Sequence, residues 1–443
     1  MDQGKDHVAV IGGGLAGSLF ALRLAQQGHR VDVYERRPDP RARRGAEGRS
    51  INLGLSKRGI AALSEVGLRD EVLSLAVPME GRVIHTLDGT ARFQPYGKNR
   101  QEVLHSIDRN ELNDLLLDRA EAHPSVQLHF EHRCVGVDAA TRSIQIADAT
   151  GTVTPITADW IVGADGAFSK IREEMQRGQR ANFSKEFLEW GYKELNLPAR
   201  PDGTSQLKLN ALHVWPRGHC LIVSHANRNG SHTLTLFLPF EGPDSFATLP
   251  DRTAISSFFT RYFPDLVPQL PELLAQWERH PVGSLVTTRT APWHLNDWIV
   301  LIGDSCHAVY PFYGQGMNSA FEDCSALSAA LTTTHPTSRL DAFRSYERSR
   351  RPHTDTLAEL SKENFVELRQ RVQSPLFVLR KRLDVWLNRL APRTWLPLYT
   401  MIAHTTMPYA DALARARRQD RWLLSGVAVA MVVLAGAVGW AVS

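Results

Sequence analysis

Hydrophobic positions at the start of the chain change from strand-like to helix-like spacing and back. Residues 7–11 (HVAVI) form an apolar run of strand length, and residues 19–27 carry apolar side chains at helical spacing before Gly28. A second strand-like stretch, at 31–34, ends at Glu35. This order predicts a β-α-β unit at the opening of the chain.

Further patterns organise the rest of the chain. Residues 108–122 predict an amphipathic helix with Asp108 as its N-cap. Residues 207–240 contain strand-like stretches, the last two separated by a hairpin signal, so we expect an antiparallel sheet inserted into an otherwise α/β chain. A buried strand is expected at 298–302, and residues 337–420 are mostly helical in pattern.

Composition limits the classes of protein that this chain can be. Its 443 residues are 43% hydrophobic and 22% charged, which indicates a globular protein of more than one domain. The net charge of only +4 shows no nucleic-acid footprint at the level of the whole chain, so no nucleic-acid partner is predicted. The 4 cysteines are dispersed, without a C-x-x-C pair, which excludes a disulfide scaffold and a zinc finger. No metal site and no secretory signal are predicted.

The C-terminal end departs from this globular composition. Residues 423–442 carry no charge, and a helix of that length would span roughly the 30 Å of a bilayer's hydrocarbon core. Several arginines precede this run, and Trp422 and Trp440 stand at its ends, as at membrane interfaces. We therefore expect a transmembrane helix at 422–443 that anchors the folded body on the cytoplasmic side. The alternative is a buried C-terminal helix, although such a helix rarely lacks a polar face.

A glycine-rich turn follows the first predicted strand. Gly12, Gly14 and Gly17 form G-x-G-x-x-G between a strand and a helix, where a pyrophosphate can approach the helix N-terminus. Glu35 stands at the end of the next strand, where a carboxylate binds a ribose 2′-hydroxyl and repels a 2′-phosphate. These residues favour FAD or NAD over NADP at this site.

Two further turns, each containing glycine and aspartate, distinguish an FAD site from an NAD site. Asp165 follows the strand at 160–162, and Asp304 follows the strand that ends at Ile302. Each could simply be an Asx turn. Arg109 opens the helix at 109–121, where its charge suits the helix dipole poorly, so an anionic partner is a reasonable interpretation.

Together, the three turns resemble the fingerprints of flavin-dependent aromatic hydroxylases. Local segments at 49–56, 82–85, 95–97, 310–324 and 396–401 are similar to those of the kynurenine 3-monooxygenase family. The resemblance extends over nearly the whole chain. It implies an FAD-binding Rossmann-like domain with an inserted antiparallel substrate sheet and a C-terminal helical region.

The resemblance also implies residue roles. The substrate of the family is L-kynurenine, and the matching substrate residues are Arg82, Tyr96, Asn364 and Tyr399. Read without the family, Tyr399 could be a core aromatic, Asn364 a surface amide and Tyr96 a turn residue. The plausible wall beside the flavin comprises Pro311, Phe312, Gly314, Gln315 and Gly316. The cofactor-binding residues are Gly12, Gly14, Leu15, Ala16, Gly17, Tyr34, Glu35, Arg36, Arg37, Gly54, Arg109, Cys134, Asp165, Asp304, Met317 and Asn318.

The resemblance further implies hydroxylation of L-kynurenine at ring position 3, with bound FAD, NADPH as a transient co-substrate and O2, through a C4a-hydroperoxyflavin. The aniline nitrogen activates the ring, so no side chain is assigned as an acid or base. His85 and His307 are interpreted as structural. The rival functions are hydroxylation of another aromatic acid or phenol, and a non-catalytic escort protein that has lost FAD. The predicted domains are a discontinuous FAD-binding domain (1–75, 102–178 and 285–335), a substrate-binding sheet domain (76–101 and 179–284), a helical cap (336–421) and the anchor (422–443).

Overall fold

A computed structural model describes residues 5–43, 52–97, 102–333, 338–371 and 374–442, so residues 49–51 of the family-like segment lie outside the described residues. The strands are β1 His7–Ile11, β2 Arg30–Glu35, β3 Asn52–Leu55, β4 Val77–Met79, β5 Gly81–His85, β6 Ala91–Pro95, β7 Leu104–Asp108, β8 Val126–Phe130, β9 Arg133–Asp138, β10 Ser143–Ala147, β11 Val153–Thr157, β12 Trp160–Gly163, β13 Asn182–Leu197, β14 Ala211–Pro216, β15 Leu221–Ala226, β16 His232–Pro239, β17 Gly283–Ala291, β18 His294–Leu295 and β19 Ile299–Leu301. The helices are α1 Leu15–Gln26, α2 Lys57–Glu65, α3 Arg69–Leu75, α4 Arg109–Glu121, α5 Lys170–Gly178, α6 Arg252–Tyr262, α7 Leu273–Arg279, α8 Asp304–His307, α9 Gly316–Thr333, α10 Arg339–Val366, α11 Pro375–Leu390, α12 Leu398–His404 and α13 Tyr409–Val442.

A largely parallel sheet has the order β18-β19-β12-β1-β2-β8 and contains the strands that flank the first glycine-rich turn. In the register of its central strand, Val10 lies between Val33 of β2 and Val162 of β12. The apolar side chains of these buried strands form one core with residues of α1, α4, α9 and β10. The predicted β-α-β opening is confirmed. So is the N-cap of α4, where the Asp108 carboxylate accepts from the backbone N–H groups of residues 110 and 111.

A second, mixed sheet has the order β17-β13-β16-β15-β14-β5-β6 and contains the strands predicted at 207–240. Its pairs are antiparallel except β5 with β14. One face packs on α6 and α7, where Trp215 and Leu236 meet Phe259. The other face packs through Phe237 against Phe312 of the turn after α8. The second sheet therefore lies beside the segment that follows the Gly303–Asp304 turn.

Helices from residue 339 onward pack on the other side of the contact between the second sheet and Phe312. α10 runs without a break through Pro352 and continues into a single π-helical turn, Glu367–Arg371. Such turns are often found at functional sites. Pro375 opens α11 and Pro397 precedes α12, as expected for prolines that start helices.

The C-terminal segment is the part of the predicted fold that is wrong. The apolar run continues α13, whose first turns pack against α10 and α12 through Tyr409 and Ala412. The side chain of Arg415 donates to the carbonyl oxygen of Arg393, so this part of the helix is charged and docked on the fold. Among the helices of the described chain, none is both long and apolar enough to cross a bilayer. A transmembrane helix and membrane anchoring through it are therefore not supported; the side chains of 426–443 lie outside the described residues.

Candidate active site

The first glycine turn has the geometry of a phosphate cradle. Gly12 adopts φ +111°, and a Cβ there would come 2.4 Å from the Ala164 carbonyl oxygen, so only glycine fits. A Cβ at Gly17 would lie 1.9 Å from the Gly12 carbonyl oxygen. At Gly14, by contrast, a Cβ would meet nothing within 4 Å, and α1 has neither a side-chain cap nor an acidic residue in its first turn. These uncapped N–H groups beside open space fit the pyrophosphate of a dinucleotide.

Glu35 closes this turn at the end of β2. Its carboxylate accepts from the Gly13 backbone N–H at 3.0 Å and from the Arg37 backbone N–H and Nε at 3.0 and 2.8 Å. Arg36 and Arg37 are exposed. Tyr34 is buried and stacks on His129 at 4.7 Å between ring centroids, so its side chain packs within the protein.

Asp304 lies beside the same turn. A Cβ on Gly303 would come 3.4 Å from the Ala16 Cβ, so the Gly303–Asp304 turn abuts the start of α1. The Asp304 side chain is exposed, yet the surrounding protein desolvates it and raises its pKa. The nearby charges of His307 and Arg109 act in the opposite direction on this pKa. The structure thus brings Arg109 and Asp304, which are far apart in sequence, within electrostatic reach of each other.

The second turn is arranged differently from the third. Both oxygens of Asp165 are engaged at the start of α5: one accepts from the Ser169 hydroxyl at 2.5 Å, and the other from the backbone N–H groups of Lys170 and Ile171 at 2.7 and 3.1 Å. Burial raises the pKa of Asp165, while these donors oppose that shift. This geometry is closer to the structural alternative that the sequence left open.

Asn318 connects two edges of the predicted cofactor site. Its side-chain amide donates to the carbonyl oxygens of Gly54 and Gly314 at 2.8 and 3.0 Å and accepts from the Ser56 backbone N–H at 2.9 Å. Asn318 is fully buried, so these bonds hold α9 against the turn between β3 and α2. Leu15, Ala16 and Met317 are partly buried around the same core.

Cys134 is buried on β9, and burial raises the pKa of its thiol to about 12. A thiol in this state packs as a small apolar group, so the structure offers no thiolate chemistry there.

The predicted flavin wall folds into a tight turn. Pro311–Tyr313 forms a short 3-10 helix, and Gly314 follows at φ +65° before Gly316 begins α9. Phe312 is buried and stacks on Phe365 of α10, with 4.3 Å between ring centroids. The wall is therefore held from behind by an aromatic contact with the helical region.

Gln315 and its neighbour Tyr313 face different surroundings. The Gln315 side chain is buried and accepts from the hydroxyls of Ser56 and Tyr409, each at 3.3 Å. Tyr313 instead lines the large cavity described next.

A cavity of about 1220 Å³ lies between β5, β6, the end of α10 and α12. All four predicted substrate residues line it: Arg82, Tyr96, Asn364 and Tyr399. Arg82 is oriented by the hydrogen bond from its Nε to the Gln94 side-chain oxygen at 2.9 Å, and among the described residues no carboxylate forms an ion pair with it. The Asn364 amide donates to the Phe312 carbonyl oxygen at 2.7 Å, which joins the cavity to the flavin wall.

The cavity tyrosines are held in their protonated form. The Tyr96 and Tyr399 rings stack at 5.4 Å, and the buried Tyr96 hydroxyl has no well-formed hydrogen bond among the described residues, although Tyr399 is close enough to influence its pKa. Burial raises the pKa of Tyr96 to about 12 and raises that of Tyr399 well above its usual range. Both hydroxyls can therefore donate a hydrogen bond to an anionic group at neutral pH.

Comparisons with known proteins agree with this geometry. Residues 5–241 and 268–361 match the family model described as "FAD binding domain". Kynurenine 3-monooxygenase of Salinispora arenicola is 54% identical over 425 residues, covering 96% of this chain and 93% of its own. Its counterpart from Dictyostelium discoideum is 39% identical, with 91% and 89% covered. The chain belongs to the kynurenine 3-monooxygenase family. It is thus an FAD-dependent monooxygenase.

Solved structures show the same fold at lower identity. A 2-methyl-3-hydroxypyridine-5-carboxylic acid oxygenase superposes with a TM-score of 0.68 at 23% identity, covering 84% of this chain and 95% of its own. Pseudomonas aeruginosa PqsL, in complex with 2-aminobenzoylacetate, gives 0.64 at 22% identity, with 83% and 97% covered. At this identity the likeness concerns the fold alone.

Sequence reasoning did not identify several residues that line the 1220 Å³ cavity. Tyr313, Glu363 and Glu367 line it together with Asn364. A signal was available, because Glu363 precedes Asn364 and Glu367 follows one helical turn later, on the same face. The π-helical turn that shifts this face was not visible in the sequence.

Proposed function

We propose that the chain hydroxylates L-kynurenine at ring position 3, consuming NADPH and O2 at bound FAD. The observation that carries this proposal is the cavity in which Arg82, without an ion-pair partner among the described residues, and two protonated tyrosines meet beside the predicted flavin wall. Relatives 39–54% identical bear the name of this activity. FAD, when bound, supplies the activation of O2 by reducing equivalents taken from NADPH.

Arg82 and Tyr96 would hold the substrate carboxylate. A guanidinium presents its N–H groups as a planar fork that matches a carboxylate, and its orientation here is already set by Gln94. Tyr96 and Tyr399 add neutral donors. Asn364 keeps its amide oxygen for the ligand while its N–H group binds the Phe312 carbonyl. These contacts would orient the aryl ring toward the wall.

The cofactor would be held by backbone and carboxylate groups. The residues from Gly12 to Gly17 would bind the pyrophosphate through N–H groups, Glu35 the adenosine ribose, and Asp304 with Arg109 the central part of the molecule. Asn318 would keep the rim of this site closed. Exclusion of water by the wall at 311–316 is required, because otherwise reduced oxygen is released without hydroxylation.

The test follows NADPH oxidation by the purified yellow protein with and without L-kynurenine and records the product's mass. We expect kynurenine-dependent oxidation and a product that is heavier by one oxygen atom, substituted ortho to the aniline nitrogen. Oxidation that yields only hydrogen peroxide with L-kynurenine would overturn the substrate and leave the flavin chemistry. Another aromatic acid or a phenol would then be the substrate to seek.

A further inference from the structure

Arg58 of α2 is a fully buried guanidinium outside the predicted binding sites. Its side chain has 0% exposure. Removing such a charge from water is costly unless every donor is matched, so a buried arginine has a specific set of partners. Those partners identify what it does.

On one side, Arg58 holds the C-terminal helices. Its Nε donates to the Ile402 carbonyl oxygen at 3.0 Å, at the end of α12, where a cation also suits the helix dipole. One terminal nitrogen donates to the Met407 carbonyl oxygen, and the guanidinium lies 4.0 Å over the Tyr409 ring. A single side chain thus fixes the end of α12, the following connection and the start of α13.

On its other side, Arg58 joins a buried chain of ion pairs. It contacts Glu322 of α9 at 2.8 Å, and Glu322 contacts Arg350 of α10 at 3.0 Å. Arg350 binds Asp323 at 2.8 Å, and the Asp323 carboxylate accepts from the Gly303 backbone N–H at 3.0 Å. The chain therefore ends at the Gly303–Asp304 turn of the cofactor site.

We propose that Arg58 is a positioning residue that fixes α12, and with it Tyr399, in the wall of the substrate cavity. Tyr399 stands in the same short helix as Ile402, so any movement of the end of α12 moves the tyrosine. The ion pairs through Glu322, Arg350 and Asp323 connect this part of the cavity wall to the Gly303–Asp304 turn of the proposed FAD site. The inference deepens the proposed function, on which the role of Tyr399 toward substrate rests. A displaced Tyr399 would bind the substrate more weakly, so the effect of a loosened α12 is expected mainly in KM.

Arg58→Lys tests this, because lysine keeps the charge but offers a single nitrogen in place of the fork. In the FAD-loaded full chain we expect hydrogen exchange in the peptide 397–409 to rise at least tenfold, with the β16 peptide 232–239 unchanged. We also expect KM for L-kynurenine to rise about tenfold with kcat within about twofold, and a larger fraction of NADPH oxidation to release hydrogen peroxide. Arg252→Lys, at an exposed pair with Glu278, is the matched control and should leave all three unchanged.

Unchanged exchange at 397–409 together with an unchanged KM in Arg58→Lys would overturn the inference. Should that variant lose its fold, Tyr409→Leu decides, with Tyr409→Phe as its control: both remove the hydroxyl that donates to Gln315, but only the leucine also removes the ring beneath the guanidinium. The same local changes in Tyr409→Leu and not in Tyr409→Phe support the inference, and equal behaviour of the two variants overturns it. Hydrogen exchange needs no substrate. A wild-type chain that fails to hydroxylate L-kynurenine would therefore count against the proposed function, while the exchange result still decides the role of Arg58.

Discussion

Arg82 is a side chain whose orientation is fixed before any ligand arrives. Its Nε is bound to Gln94, and its remaining nitrogens have no carboxylate partner among the described residues. Arg82→Met should raise KM for L-kynurenine by roughly 10- to 100-fold, since a hydrogen bond to a charged group contributes about 1.5–3 kcal/mol. Steady-state kinetics measure this, with Arg177→Met on α5 as a control whose KM should not change. An unchanged KM in Arg82→Met would remove the carboxylate assignment.

Glu35 acts on the cofactor site through a backbone group. Its carboxylate satisfies the buried Gly13 N–H, and leaving such a donor unpaired costs about 1–3 kcal/mol. Glu35→Ala should therefore raise the Kd for FAD at least fivefold, whereas Glu35→Gln, which keeps an acceptor oxygen, should raise it less. Titration of the apoprotein with FAD, followed by flavin fluorescence, compares the two. Equal Kd values for both variants and the wild type would exclude Glu35 from the site.

At the scale of elements, the β1–α1 turn uses glycine for two different reasons: one glycine avoids a clash within the protein, and another leaves room for a ligand. Gly12 has no room for a Cβ in the protein itself, whereas Gly14 has room in the protein and faces the space proposed for the pyrophosphate. Gly12→Ala should lower both the Tm of the apoprotein and FAD binding. Gly14→Ala should leave the apoprotein Tm within about 2 °C and still weaken FAD binding. A Gly14→Ala protein with normal FAD affinity would place the pyrophosphate elsewhere.

What the sequence predicted correctly at this scale was local. The β-α-β unit, the Asp108 cap and the strands at 207–240 each depend on spacing within a few residues, so pattern reasoning reached them. The four predicted substrate residues were named through family resemblance, and in the structure all four line one cavity.

Long-range arrangements were out of reach for pattern reasoning. The contact between Asn364 and Phe312 depends on how α10 packs, and the burial of Arg58 depends on helices that lie more than 300 residues later, since its partner Ile402 is 344 positions away. The apolar run at 423–442 was predicted to be a separate transmembrane helix because hydropathy averages only neighbouring residues of the sequence. In the structure it continues a charged helix that starts at Tyr409. Helix boundaries are set by packing as well as by composition.

At the scale of the whole molecule, the seven-stranded sheet has a buried histidine cluster: His85, His213 and His232 on β5, β14 and β16. His85 Nε2 lies 2.8 Å from His213 Nδ1, and the His213 and His232 rings are 5.6 Å apart. Burial lowers the pKa of all three, to about 4 for His85 and about 3 for His232, and positive neighbours lower those of His85 and His232 further. Asp265, 3.7 Å from His85, only partly opposes this effect.

This cluster should make the fold sensitive to acid. The unfolded chain binds protons on these histidines near pH 6.5, whereas in the folded chain His85 does so only near pH 4 and His232 only near pH 3. The stabilising contribution is therefore complete above pH 6.5 and is lost as the pH falls toward 4, by up to about 1.4 kcal/mol per pH unit for each histidine. Urea unfolding at pH 7.0 and 5.0, followed by circular dichroism, should show a lower midpoint at pH 5.0 with an unchanged slope.

The matched variant is His232→Gln, which keeps hydrogen-bonding groups near Ser205 and Ser224 without titrating. The loss of stability between pH 7.0 and 5.0 should be smaller in this variant than in the wild type, by about the share of one histidine. His123→Gln, outside the cluster, should retain the wild-type dependence. An identical pH dependence in all three proteins would show that the acid sensitivity arises from carboxylates elsewhere. Because the sheet that contains this cluster also provides Arg82, partial acid loosening should raise KM for L-kynurenine before it releases FAD.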